Sequence, residues 1–132
     1  MAAKPVHSMI RVLDERKSLD FYDKAFSLKL AQRFDFDDFA LLYLRGDDSP
    51  FELELTVNFD RKEPYGLGDG YGHLAVTVDS IDAEHARLTA AGLAPGPIRD
   101  FKHKGTTLAR FFFITDPDGY KTEVIERGGR FV

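Results

Sequence analysis

The apolar pattern of this chain runs through one order of elements twice, and that repetition limits the fold more than any single motif does. Residues 7–13, HSMIRVL, alternate between an apolar and a mixed face, which predicts a half-buried strand. Residues 14–26 carry Leu19, Phe21, Tyr22, Ala25 and Phe26 at near-helical spacing, with Asp14 as a natural N-cap. Two apolar runs, 28–36 and 39–45, flank Asp37-Asp38 and predict a hairpin. Residues 51–58, FELELTVN, alternate strictly and predict a third strand after the helix. The segment 59–70 holds a Pro and three Gly and reads as a linker. The order then restarts: a strand at 72–78, a helix at 80–91 capped by Ser80 and stopped at Gly92, and strands at 97–101 and 107–115. An Asp116-Pro117-Asp118-Gly119 turn follows, and a closing strand at 120–126. The expectation is an α+β chain of two tandem β-α-β-β-β modules, 5–58 and 71–126, forming one domain over 1–132 with a curved mixed-sheet cleft. Each module is too small to bury a convincing core alone.

Composition narrows the chemistry. The chain has no cysteine, so disulfides, thiolate-held zinc, iron–sulfur clusters and thiol nucleophiles are out, and a metal must use His, Asp, Glu or backbone oxygen. The net charge is -4 with no basic block, which argues against nucleic acid as a partner. No apolar run approaches the roughly 20 residues that span a bilayer, and no secretory leader is visible, so no membrane role and a cytoplasmic location are expected. The twelve Phe residues read as core and cleft lining.

The candidate chemistry lies in what the two modules share. His7 opens the first and His73 the second. Glu54 follows His7 by 47 residues in the last strand of its module, and Glu123 follows His73 by 50 in the last strand of its own. Two imidazoles and two carboxylates repeated in step suit Ni, Co, Fe, Mn or Zn, and leave two octahedral positions open, as a catalytic rather than a structural site does. Alternation puts Glu52 on the same face as Glu54 and does not choose between them; Glu126 falls on the face opposite Glu123. His85, on a helix, and His103, in an expected loop, have no counterpart in the other module and are read as structural or solvated.

The residues also carry a family resemblance. His-x-x-x-Arg-Val at 7–12, Ser-Leu-Asp-Phe-Tyr at 18–22, Glu-Leu-Thr-Val-Asn at 54–58, Tyr-Gly-His-Leu-Ala-Val at 71–76 and Asp-Pro-Asp-Gly-Tyr-Lys-Thr-Glu at 116–123 resemble a small bacterial glyoxalase I of the vicinal oxygen chelate superfamily. The resemblance implies Glu54 rather than Glu52, a ligand set of His7, Glu54, His73 and Glu123, and Glu123 as catalytic base with Glu54 assisting. It implies one divalent ion per site, Ni or Co favoured and Zn allowed. Arg11 and Asn58 match positions that hold the glutamyl end of glutathione, and Lys104-Gly105-Thr106 is nearest to the segment that contacts its glycine carboxylate. The implied substrate is the methylglyoxal–glutathione hemithioacetal, converted to S-lactoylglutathione through an enediolate. The implied assembly is a homodimer in which the first module of one chain pairs with the second of its mate, so that sites are shared. The alternatives within the superfamily are an acyl-CoA epimerase, a ring-cleaving dioxygenase, or a non-catalytic antibiotic-binding protein.

Overall fold

The computed structural model describes residues 1–132, and the chain divides into two compact units, Met1–Gly66 and Leu67–Val132. Unit 1 contains β1 (His7–Arg11), α1 (Glu15–Phe26), β2 (Lys29–Asp35), β3 (Phe39–Arg45) and β4 (Glu52–Asn58). Unit 2 contains β5 (Leu74–Val78), α2 (Ile81–Ala90), β6 (Arg99–His103), β7 (Thr106–Thr115) and β8 (Lys121–Glu126). The wiring is the same in both. Unit 1 forms a four-stranded sheet in the order β1-β4-β3-β2, and unit 2 one in the order β5-β8-β7-β6. The first strand of each lies parallel to the last, β1 on β4 and β5 on β8, and the other pairings are antiparallel. The α+β fold of tandem β-α-β-β-β modules is the one the repeated order predicts.

In unit 1, α1 starts where Asp14 accepts a hydrogen bond from the Lys17 backbone N–H at 3.2 Å. It ends where Ser27 turns left-handed at φ 54° and the Leu28 N–H returns to the Tyr22 carbonyl. Its buried Phe21, Tyr22 and Ala25 and the buried Ala40, Leu42 and Leu44 of β3 belong to the apolar core of this unit. The central β4 departs from the simple alternation read in FELELTVN, because Leu53, Glu54, Leu55, Thr56 and Val57 are all buried. Long side chains stand beside its polar face, Met9 and Tyr43 next to Glu54 and Arg11 and Leu41 next to Thr56, and shelter the carboxylate.

In unit 2, Ser80 caps α2 through the Ala83 N–H at 3.3 Å, and the Glu126 carboxylate accepts from the Ile81 N–H at 3.0 Å. Glu126 is therefore committed to the helix N-terminus, on the face away from Glu123. The core centres on Phe112, Ile114, Val124, Ile81 and Leu88, all at most 1% exposed. Removing a fully buried aromatic ring leaves a cavity worth about 3–5 kcal/mol. Phe112→Ala should therefore lower the thermal midpoint steeply and broaden the melt, with calorimetry as the check, whereas Phe101→Ala at an exposed position should change it little.

Two expectations are corrected. β5 starts at Leu74 rather than Gly72, so His73 sits just before the strand. His103 is not in a loop: it closes β6 and pairs with Thr106, because Lys104 and Gly105 take φ values of 51° and 80° and make a two-residue hairpin turn. Positive φ at both turn residues matches the strand twist, and glycine at the second removes the Cβ penalty. His85 lies edge-on to Phe112 at 5.1 Å and donates its Nε2–H to the Gly96 carbonyl at 2.8 Å, which is a packing role.

Candidate metal centre

Each unit brings one imidazole to one carboxylate, by the same register. In unit 1, Met9 lies opposite Glu54 across the parallel β1–β4 pair, and His7 stands two residues before Met9 on the same face. His7 Nε2 is 3.9 Å from Glu54 Oε1. In unit 2, Ala75 lies opposite Glu123 across β5–β8, and His73 stands two residues before Ala75. His73 Nε2 is 3.3 Å from Glu123 Oε1. Within neither unit does a third His, Asp or Glu join the pair to make a metal-holding group.

The environments of the two carboxylates differ. Glu54 is 9% exposed and stands directly across from Tyr43, its cross-strand partner on β3. The neighbouring Glu54 carboxylate, followed by burial, pushes the Tyr43 phenol up to about 12. The Tyr43 ring also meets His7 edge-on at 5.9 Å. Glu52, the other carboxylate on that face, lies 3.5 Å from the Arg45 guanidinium instead. In unit 2 the residue across from Glu123 is Phe113, whose ring meets His73 edge-on at 5.1 Å and offers no donor.

Arg11 and Asn58 are brought together: the Arg11 Nη1–H donates to Asn58 Oδ1 at 3.3 Å. Tyr65 donates its hydroxyl to the same oxygen at 3.1 Å, and the Arg61 guanidinium lies over the Tyr65 ring at 4.3 Å. Arg61 also donates to the carbonyls of Glu63 and Pro64, at 2.7 and 2.9 Å, so the segment after β4 is pinned back on itself. By contrast, Lys104-Gly105-Thr106 sits at the tip of the β6–β7 hairpin, with Phe113 seven residues along β7. At about 3.3 Å per residue the tip is roughly 20 Å from the level of Glu123 within its unit. Sequence reasoning missed Tyr43 and Tyr65. Tyr43 was findable, since it stands mid-strand on the less buried face of FALLYLR, but only the register shows that it stands beside Glu54.

The donor set fits a divalent ion in chemical kind. Imidazole and carboxylate are the ligands of borderline and hard cations. The imidazole–carboxylate separations show the donors of each unit converging on one small volume.

Comparison with known proteins shows the family of the chain. Residues 4–124 match the family profile described as the Glyoxalase/Bleomycin resistance protein/Dioxygenase superfamily. The chain is 40% identical over 130 residues to a lactoylglutathione lyase of Neisseria meningitidis serogroup A, covering 92% of this chain and 89% of that one. It superposes on the trypanothione-dependent glyoxalase I of Leishmania major with TM-score 0.75 at 29% identity, covering 95% and 87% of the two chains. The antibiotic binding protein TnmS3 from a Streptomyces shares the fold at TM-score 0.75 and 25% identity, covering 97% and 99%. The chain belongs to the glyoxalase/bleomycin resistance protein/dioxygenase superfamily, and within it to the lactoylglutathione lyases.

Proposed function

We propose that this protein is a metal-dependent glyoxalase I that converts the methylglyoxal–glutathione hemithioacetal to S-lactoylglutathione. The observation that carries the reading is the doubled pair: the same register puts one imidazole beside one carboxylate in each unit, at 3.9 and 3.3 Å. His7 and Glu54 from one unit and His73 and Glu123 from another would together hold one divalent ion. A bound ion would supply the positive charge that offsets the negative oxygens of an enediolate.

The chain's own groups do the rest. The substrate C–H lies beside a carbonyl, and a carboxylate within hydrogen-bond reach must take its proton. Glu123 suits that task, because it is half-buried, its cross-strand neighbour gives it no hydrogen bond, and it can turn. The proton leaves C1 for a Glu123 oxygen and returns to C2, so no net acid or base is consumed. Phe113 and Phe111, edge-to-face at 5.9 Å, line the same sheet face and keep water from the intermediate. Arg11 offers a fixed fork of donors to a substrate carboxylate, with Asn58 steadying it. Two ligands per unit are too few for one ion, so two units must supply a site, and we infer, as the family resemblance implies, that they come from two chains of a homodimer with shared sites.

A thioester assay at 240 nm tests the reading, with methylglyoxal and glutathione, after metal removal and stepwise return of Ni, Co, Zn and Mn. Activity should vanish on removal and return with at least one ion. Glutathione should be compared with trypanothione, since one relative is named for that thiol. No thioester with either thiol and any of the four ions would overturn the reading and favour the binding role carried by TnmS3.

The ligand assignment has its own test. Alanine at His7, Glu54, His73 or Glu123 should each cut metal content sharply, whereas Glu52→Ala should retain it, because Glu52 is turned to Arg45. Metal analysis of the five purified variants decides, and a Glu52 variant without metal beside a Glu54 variant with it would reverse the choice.

No helix of the chain is long and apolar enough to cross a membrane.

A further inference from the structure

The two half-sites share one strand register, and at the antiparallel neighbour of the carboxylate they differ by a single hydroxyl. Across from Glu54 on the antiparallel neighbour stands Tyr43, and across from Glu123 stands Phe113. Both rings flank their histidine edge-on, at 5.9 Å and 72° for Tyr43 on His7, and at 5.1 Å and 83° for Phe113 on His73. The aromatic wall is thus common to both units, and the hydroxyl is present in only one. We propose that Tyr43 is a positioning residue that fixes Glu54 as the stationary carboxylate, and that the missing hydroxyl at Phe113 is what leaves Glu123 free to turn and carry a proton.

The inference rests on the metal-dependent lyase reading and adds to it a cause for unequal roles in chemically identical groups. A carboxylate that accepts from a cross-strand hydroxyl has one oxygen tied to the sheet and the other aimed by it. Its rotation then costs a hydrogen bond in a sheltered place, where water replaces the donor poorly. Glu54 is also the more enclosed of the two, with its side chain 11% exposed against 19% for Glu123. Groups that orient metal-binding side chains in this way typically govern affinity 10- to 100-fold. A proton carrier needs the opposite: it must leave one orientation and take another within each turnover. Phe113 supplies wall without tether.

The test exchanges the hydroxyl between units. Three variants are compared with the parent: Tyr43→Phe, Phe113→Tyr and the double exchange. Each is read by Co(II) affinity against a competing chelator, by kcat and KM separately, and by thermal midpoint. Tyr43→Phe should bind Co(II) about 10- to 100-fold more weakly. Phe113→Tyr should bind Co(II) at least as tightly as the parent yet lose about tenfold or more in kcat, with KM little changed, because the new hydroxyl meets Glu123 in the register where Tyr43 meets Glu54. A purely structural role would move the midpoint without that split. A Tyr43→Phe protein with parental Co(II) affinity overturns the proposal. So does a Phe113→Tyr protein with parental kcat, and that result stands even if Tyr43→Phe does not fold. A parent that binds no Co(II) and makes no thioester defeats the lyase reading itself. A parent that does both, with variants unchanged, defeats only the role of Tyr43.

Discussion

Glu123→Gln is expected to fold, to keep its metal and to lose turnover by about 10²–10⁴-fold, the usual contribution of a positioned general base. The amide has the shape of the carboxyl group and keeps an oxygen for a cation. It has no basic lone pair strong enough to take a proton from carbon. Nothing in the fold depends on the charge. Glu123 caps no helix, since that duty falls to Glu126, and its single polar contact is His73 at 3.3 Å. The check has three parts: thermal midpoint and Co(II) content close to the parent, tight retention of a substrate analogue, and kcat from the 240 nm assay. Glu54→Gln is the instructive comparison. If Glu54 mainly holds the ion, its amide should lose metal along with activity, so that excess metal restores part of the rate. Excess metal should do nothing for Glu123→Gln. Turnover by Glu123→Gln within a few-fold of the parent would remove Glu123 as the base.

Much of the fold was legible in the sequence, and the reason is periodicity. A β-α-β-β-β order written twice left few ways to wire the sheets, and the observed strand orders, β1-β4-β3-β2 and β5-β8-β7-β6, are the same wiring used twice. Helix starts were readable from single residues, because Asp14 and Ser80 each satisfy an orphan backbone donor. What escaped the sequence was set by partners distant along the chain. Alternation could not separate Glu52 from Glu54, since both point to one face of β4. Only the register shows one turned to Arg45 and the other to Tyr43 and His7. The burial of Glu54 and Thr56 likewise needed the register that sets Met9, Arg11, Leu41 and Tyr43 beside them, which a two-residue period does not contain. His103 was misplaced because Lys104-Gly105 lacks the Asn-Gly or Asp-Gly signature, although it makes the same two-residue turn. Tyr65 was missed because it lies in a Gly- and Pro-bearing stretch that reads as linker. Its structure comes from one cation, Arg61, gathering the backbone around it.

The shared-site dimer makes a prediction in which activity appears where there was none. Each unit carries one imidazole and one carboxylate, and a divalent ion of this class takes four to six ligands. A single pair is too few for such an ion, so the proposed site draws on two pairs. The face of unit 1 that bears the pair also leaves apolar surface to solvent: Met9 is 39% exposed, and Phe34, which packs on Tyr43, is 48% exposed. Apolar surface rimming a polar centre is what a second protein surface covers. If the unit that covers it belongs to another chain, a two-fold axis generates two equivalent sites, each taking His7 and Glu54 from one subunit and His73 and Glu123 from the other. The decisive mixture is His7→Ala with Glu123→Ala, each inactive alone. In a mixed dimer with shared sites, both lesions fall in one site and the other site is wholly intact. Random exchange makes half the dimers mixed, so roughly a quarter of all sites should become active. If each chain builds its own site, every site in the mixture carries one lesion and nothing is regained. Differently tagged subunits, isolated by two successive affinity steps, show that exchange has taken place. Mixed dimers that remain inactive after that purification would refute the shared site, while leaving the metal ligands and the base as assigned.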